Sequence, residues 1–202
     1  MSSVSRRTGT RQRPSGPPAS AVAGRSGGIG RSTSDAAEAV SDDLRRGAGA
    51  LLDRRRRLAG LSLGSIAAFA GVAAYQTGVI RHLPEPPTGL LDADSVDASG
   101  EAYQQLKTPD AALGMVSSAM TLVLIGMGDA RRATQRPWVP LAMAAKVGLD
   151  ALGGLYLTAE QASKHKKFCG WCLVATTAYL AMVPQVVPEA RVALAQLRSG
   201  RG

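Results

Sequence analysis

Leu58-Ala59-Gly60-Leu61-Ser62-Leu63-Gly64-Ser65-Ile66-Ala67-Ala68-Phe69-Ala70-Gly71-Val72-Ala73-Ala74-Tyr75-Gln76-Thr77-Gly78-Val79-Ile80 carries no charge, and it follows directly on Asp53-Arg54-Arg55-Arg56-Arg57. About 20 apolar residues cross the hydrocarbon of a bilayer as a helix, so this run reads as a transmembrane span with a basic edge. The pattern recurs from Ala111 to Met127, from Trp138 to Thr158 and from Phe168 to about Val187. Pro109, Pro137 and Pro188 stand at three of the boundaries, where a missing backbone donor does least harm. The expectation is an all-α integral membrane four-helix bundle over residues 58–190. The 45% of apolar residues lies mostly in these blocks, and the hydrophilic tail brings the mean hydropathy to zero.

Outward from the spans, residues 1–44 are rich in Ser, Gly, Arg and Pro, as in Arg11-Gln12-Arg13-Pro14-Ser15-Gly16-Pro17-Pro18. Too few large apolar side chains are present to offset the entropy of ordering, so the segment reads as a disordered basic tail. An Arg- and Ser-rich start also fits an organellar transit peptide, whereas the lack of an early apolar run excludes a secretory signal. A helix is expected to begin near Ser34 or Ser41, where acids follow a capping hydroxyl. It leads into a basic juxtamembrane helix over residues 45–57, and residues 191–202 form a basic tail at the other terminus.

The formal net charge is +9. No aromatic-basic interleaving accompanies it, so nucleic acid is not an expected partner; the cations flank spans, where they fix orientation and attract anionic lipid. Arg54 to Arg57, Arg131, Arg132 and Arg136 place the N-terminus, the 129–137 loop and the C-terminus in the cytoplasm. The acidic segment between His82 and Pro109 then lies outside, with two short apolar pieces along the membrane surface. Lys164, Lys166 and Lys167 argue the other way and are outvoted.

In that topology Cys169 and Cys172, the two cysteines of the chain, fall in the first turn of the last helix at its extracytoplasmic end. A spacing of three puts both sulfurs on one face, within reach of a disulfide. The helix N-terminus, with His165, Lys166 and Lys167 nearby, favours a thiolate. Such a dithiol suits two-electron exchange between protein thiols and a lipid-soluble carrier such as a quinone. A chance pair of helical cysteines is the bland alternative. Zinc is disfavoured, since only His82 and His165 could complete four ligands.

Lys167-Phe168-Cys169-Gly170-Trp171-Cys172-Leu173, entering an apolar helix at the end of a four-span chain, resembles the active-site segment of the vitamin K epoxide reductase family. Val96-Asp97-Ala98-Ser99-Gly100-Glu101-Ala102-Tyr103, followed by Thr108-Pro109 and Leu113-Gly114, resembles that family's loop and the start of its second span. The likeness covers roughly residues 58–190. It implies Cys169 and Cys172 as the redox pair beside a bound quinone, with Ser99 as the loop serine near it. Cys172, deeper in the helix, faces the quinone, and Cys169 exchanges with an incoming thiol. Family members with a complete relay carry a second cysteine pair in the first external loop, which takes electrons from a thioredoxin-like partner. Residues 81–110 hold no cysteine, so the chain resembles a bacterial-type member lacking the loop pair, in an inner or plasma membrane. Either a partner attacks the Cys169–Cys172 pair directly, or the chain is a non-catalytic membrane subunit with a degenerate redox site.

Other polar residues in the spans keep two readings. Lys146 and Asp150, four apart, pair on one face for structure or for a proton path. Tyr75, Gln76, Tyr156 and Tyr179 are interfacial anchors or quinone ligands. Gly60 and Gly64, four apart, offer a close-packing face or merely reflect glycine-rich composition.

Overall fold

The computed structural model describes residues 34–103 and 107–200; the expected disordered tail falls, up to residue 33, outside them. The described residues form seven α-helices: α1 (Asp35–Arg46), α2 (Ala50–Gln76), α3 (Ala93–Asp97), α4 (Asp110–Gly126), α5 (Arg132–Gln135), α6 (Trp138–Glu160) and α7 (Gly170–Ser199). Among them there is no strand, and Leu91 and Phe168 share a single parallel bridge. Helix α1 starts where Ser34 accepts a hydrogen bond from the Ala37 amide at 3.3 Å, so residues 35–44, assigned to the tail on composition, are helical. Gly49, at φ +132°, allows the chain to turn into α2, which carries the whole arginine run on the same helix as the first span.

Three helices are long and apolar enough to cross a membrane: α2, α6 with its following turn to His165, and α7. The fourth expected span corresponds to α4, whose 17 residues reach about 26 Å at 1.5 Å per residue, slightly short of a hydrocarbon core of about 30 Å. Helix α2 lies against α4 and α7, and α6 packs on α7, whereas α4 and α6 touch only lightly. Leu58, Ile125, Met143, Val147, Tyr179 and Met182 fill the centre.

The buried stripe of α2 runs through Arg55, Leu58, Ser62, Ser65, Ala68 and Val72, the three- and four-residue spacing of one helix face. Gly60 and Gly64 lie off that stripe and face open space, so they make no close-packing contact within the bundle. Close approach falls to Gly114 of α4 instead, where a Cβ would stand 2.7 Å from the Phe69 ring. Ser62 donates to the Ser118 carbonyl at 2.8 Å and Ser65 to the Ser118 hydroxyl at 2.9 Å. These bonds tie α2 to α4 where no apolar solvent difference drives association.

Helix α4 ends in carbonyls that two buried guanidiniums satisfy. Arg55 donates to Ile125 and Gly128 oxygens at 2.7 and 2.9 Å, and Arg132 to Leu124 and Met127 oxygens at 2.7 and 2.9 Å. Cations at a helix C-terminus meet both its unpaired carbonyls and the negative end of its dipole. Arg132 also holds the Glu189 carboxylate with both nitrogens, at 2.7 and 2.6 Å. Two of the arginines counted for orientation are therefore also structural members of the interior.

The last span does not stop at Pro188. Helix α7 runs through Pro184 and Pro188 to Ser199, past the expected end near Val187. A proline lacks the donor that would bond the carbonyl four residues earlier, and that carbonyl, Pro184 O, accepts instead from Arg54 Nη1 at 3.4 Å.

Candidate active site

The end of the bundle away from the arginines gathers the C-terminus of α2, the loop through α3, the start of α4, the end of α6 and the start of α7. After α6 one turn of π-helix, Gln161–His165, loosens the chain, and Lys166 takes a left-handed φ of 56° to reverse it toward α7. The Phe168 amide donates to Leu90 O at 2.9 Å, and the Asp92 amide to Phe168 O at 3.0 Å. The loop is thereby laid across the N-terminus of α7.

Glu85 fastens it. One carboxylate oxygen accepts from the amide of Gly170, the first residue of α7, and the other from the amide of Ala93, the first of α3, at 2.6 Å. A single anion thus caps two helix N-termini. Trp171 adds a bond from its indole nitrogen to Pro84 O at 3.1 Å. Tyr75 donates to Asp94 O at 3.1 Å, and the Gln76 amide to Asp110 at 2.7 Å. These two residues are loop fasteners from α2.

Beneath this cover Cys169 is fully buried, in one apolar cluster with Val72, Leu83, Ala93, Val96 and Ala111. It is the N-cap of α7: its sulfur accepts from the Cys172 amide at 3.2 Å, while its own amide donates to the Gln161 side chain at 3.1 Å. Both cysteines are free thiols. Cys172 is half-buried, and its sulfur lies 3.8 Å from Asp97 Oδ1. The two sulfurs and an Asp97 oxygen are all within 4.8 Å of one another. Among the described residues that set numbers three, and His82, one of the two histidines in the chain, is on the outside, 2.7 Å from Asp94.

The charge nearest the thiols is an acid rather than the expected cations. Lys167 is turned to Gly89 O, at 2.7 Å. Asp97 itself is 2% exposed. Burial raises its pKa to about 6, opposed by bonding to the two cysteines. Its Oδ2 is buried with no hydrogen-bond partner among the described residues.

Cys172 and Asp97 share a cavity of about 390 Å³ with Ser99, Ser117, Asp150 and Tyr179. Its walls come from α2, α3, α4, α6 and α7, and His165 also lines it. The structure therefore brings the expected site residues Cys172 and Ser99 to one space and places Cys169 directly behind, so Cys169, expected to be the thiol that meets an incoming partner, is the more buried of the two. The Ser99 hydroxyl donates to Val96 O at 2.8 Å, leaving its oxygen a further acceptor position. Lys146 pairs with Asp150 at 2.6 Å and donates to Ser117 at 2.9 Å. Tyr179 is buried and bonded to Ser118 at 2.8 Å, whereas Tyr156 is 68% exposed on the outer surface.

Residues 57–187 match the model of the vitamin K epoxide reductase family. The chain belongs to that family. No curated protein and no solved structure matches it. As a vitamin K epoxide reductase family protein with three helices able to cross a bilayer, it is an integral membrane protein. Its family resemblance singled out Cys169, Cys172 and Ser99, and missed Asp97, Glu85 and Gln161. Asp97 stands two residues before Ser99 in the family-like loop; only its proximity to the sulfurs separates it from its acidic neighbours.

Proposed function

We propose that the chain is a membrane thiol-disulfide oxidoreductase whose Cys169–Cys172 pair exchanges two electrons with a quinone in the cavity. The observation that carries this reading is the position of Cys172, in the wall of a space that also reaches the outer apolar surface. Leu149 and Leu157 line the cavity and are 69% and 40% exposed, in the seam where α4 and α6 touch only lightly. A lipid-soluble carrier can enter sideways from the bilayer through that seam. The volume lies within the roughly 300–1,000 Å³ of small-molecule sites, and Ser99, Ser117 and Tyr179 put hydroxyl groups on its wall.

In this reading α4 is the second of four spans. The arginine-bearing end faces the cytoplasm, as positive charge near short loops dictates, and the dithiol end faces an oxidising compartment. The lysines that argue otherwise have local partners: Lys164 pairs with Glu160 and Lys167 bonds Gly89 O. Membrane lipid surrounds the bundle, and the protein thiol that exchanges with the pair belongs to a thioredoxin-like partner acting without loop cysteines.

The purified full-length protein in lipid nanodiscs, given dithiothreitol and menadione, is expected to form hydroquinone at a rate that saturates with both. A rate no greater than that of empty nanodiscs would remove this reading in favour of a non-catalytic subunit.

A further inference from the structure

The loop contributes no thiol to the site, yet it places one side chain against the sulfurs. We propose that Asp97 is the catalytic proton acceptor of the dithiol, taking the Cys172 thiol proton and delivering it into the cavity. This rests on the quinone reading for the destination of the proton, but not for its removal from sulfur.

The geometry has three parts. Asp97 Oδ1 is 3.8 Å from Cys172 Sγ, a sulfur hydrogen-bond contact. The side chain lines the cavity. Its other oxygen, Oδ2, is buried without a partner, an arrangement that costs free energy unless a ligand or a proton occupies it. A carboxylate held only for structure would use both oxygens, as Glu85 does.

The balance is complete without another reactant. As the S–S bond forms, two S–H bonds break and release two electrons and two protons. A quinone takes up both electrons and both protons to become the hydroquinone. Asp97 accepts the Cys172 proton as that sulfur becomes nucleophilic and passes it to a ring oxygen. The Cys169 proton follows by the same carboxylate when the disulfide closes, since an Asp97 oxygen lies within 4.8 Å of that sulfur as well. Run backwards, the same carboxylate returns protons to the nascent thiols.

The groups facing Asp97 set its working range. Cys169 and Cys172 come from α7, Asp110 from α4 and Glu85 from the loop. Tyr75 faces it from α2, where Gln76 also bonds the Asp97 carbonyl, and Glu160 and His165 line the same cavity from the end of α6. Burial outweighs the thiol bonds and leaves the pKa at about 6, so the acceptor form is present at neutral pH while the proton is still easily returned.

The test is the pH dependence of Cys172 alkylation by iodoacetamide in fully reduced protein, from about pH 5 to 9, in the wild type and in Asp97→Asn. With a proton shared between carboxylate and thiol, the wild-type rate rises through about pH 6 to a shelf before ordinary thiol ionisation takes over. Asp97→Asn is expected to lose the shelf and to lose on the order of 10²-fold in menadione reduction near pH 7.

A structural role would instead show in stability, and the sign is opposite. Because the folded pKa is above the unfolded one, Asp97's contribution to folding is fully present below about pH 4 and is lost as pH rises through about 6. Asp97→Asn therefore should not lower the thermal midpoint at pH 7. A wild-type shelf retained in Asp97→Asn would overturn the proposal, as would lost turnover accompanied by a lowered midpoint. A wild-type shelf without any quinone reduction would instead defeat the quinone reading and leave the proton acceptor standing.

Discussion

Cys172→Ala is expected to bring dithiol-driven menadione reduction down to the uncatalysed background, and Cys169→Ala to do the same by a different route. In Cys169→Ala the cavity still contains the Cys172 thiol. An incoming disulfide or oxidised reductant can join it, but no second sulfur is present to resolve the bond. That variant should accumulate a stable mixed disulfide on Cys172, visible as a mass increase that reductant reverses. In Cys172→Ala the remaining thiol is buried behind a loop held by Glu85 and Trp171. It should resist alkylation until the protein is denatured. Equal trapping of both single variants would mean that the sulfurs are equally accessible, contrary to the burial of Cys169.

Glu189→Ala is expected to be the most destabilising single substitution at the opposite end. The Arg132 and Glu189 side chains are 0% and 5% exposed, and removing one partner leaves a buried charge. That costs about 3–5 kcal/mol, a large share of the ~5–15 kcal/mol by which domains are stable. Glu189→Gln keeps one acceptor and should lose less. Arg132→Met with Glu189→Leu should recover part of the loss, since no charge is stranded, but not all, because Leu124 and Met127 carbonyls lose their donor. Unfolding curves in detergent across the four proteins give the comparison. A Glu189→Ala midpoint equal to the wild type would show that the pair is solvated.

The helices were legible in the sequence because bilayer spans announce themselves by length and by apolar composition. The site was legible as far as resemblance reached, through Cys169, Cys172 and Ser99. Failures came where a residue's role depends on what lies opposite. Arg55 and Arg132 read as membrane-edge charges, and nothing in the local pattern tells that α4 ends against them. Pro188 read as a terminator because its missing donor is a local fact, whereas the donor that replaces it, Arg54, lies 130 residues away from Pro184. Gly60 and Gly64 have the spacing of a packing motif but the wrong phase relative to the buried stripe. Asp97 is one acid among many in its loop until the chain folds it against two sulfurs.

The double cap formed by Glu85 has a kinetic meaning. Lifting the loop from α7 uncaps α3 at the same time, so the outer approach to Cys169 is closed by both helix ends together. If the cavity is the one doorway to the pair, a small dithiol donor and the quinone must use it in turn. The protein would then alternate between two chemical states, with parallel double-reciprocal plots, and each substrate at high concentration would inhibit by occupying the form meant for the other. Intersecting plots, the mark of both substrates bound at once, would require a second way in.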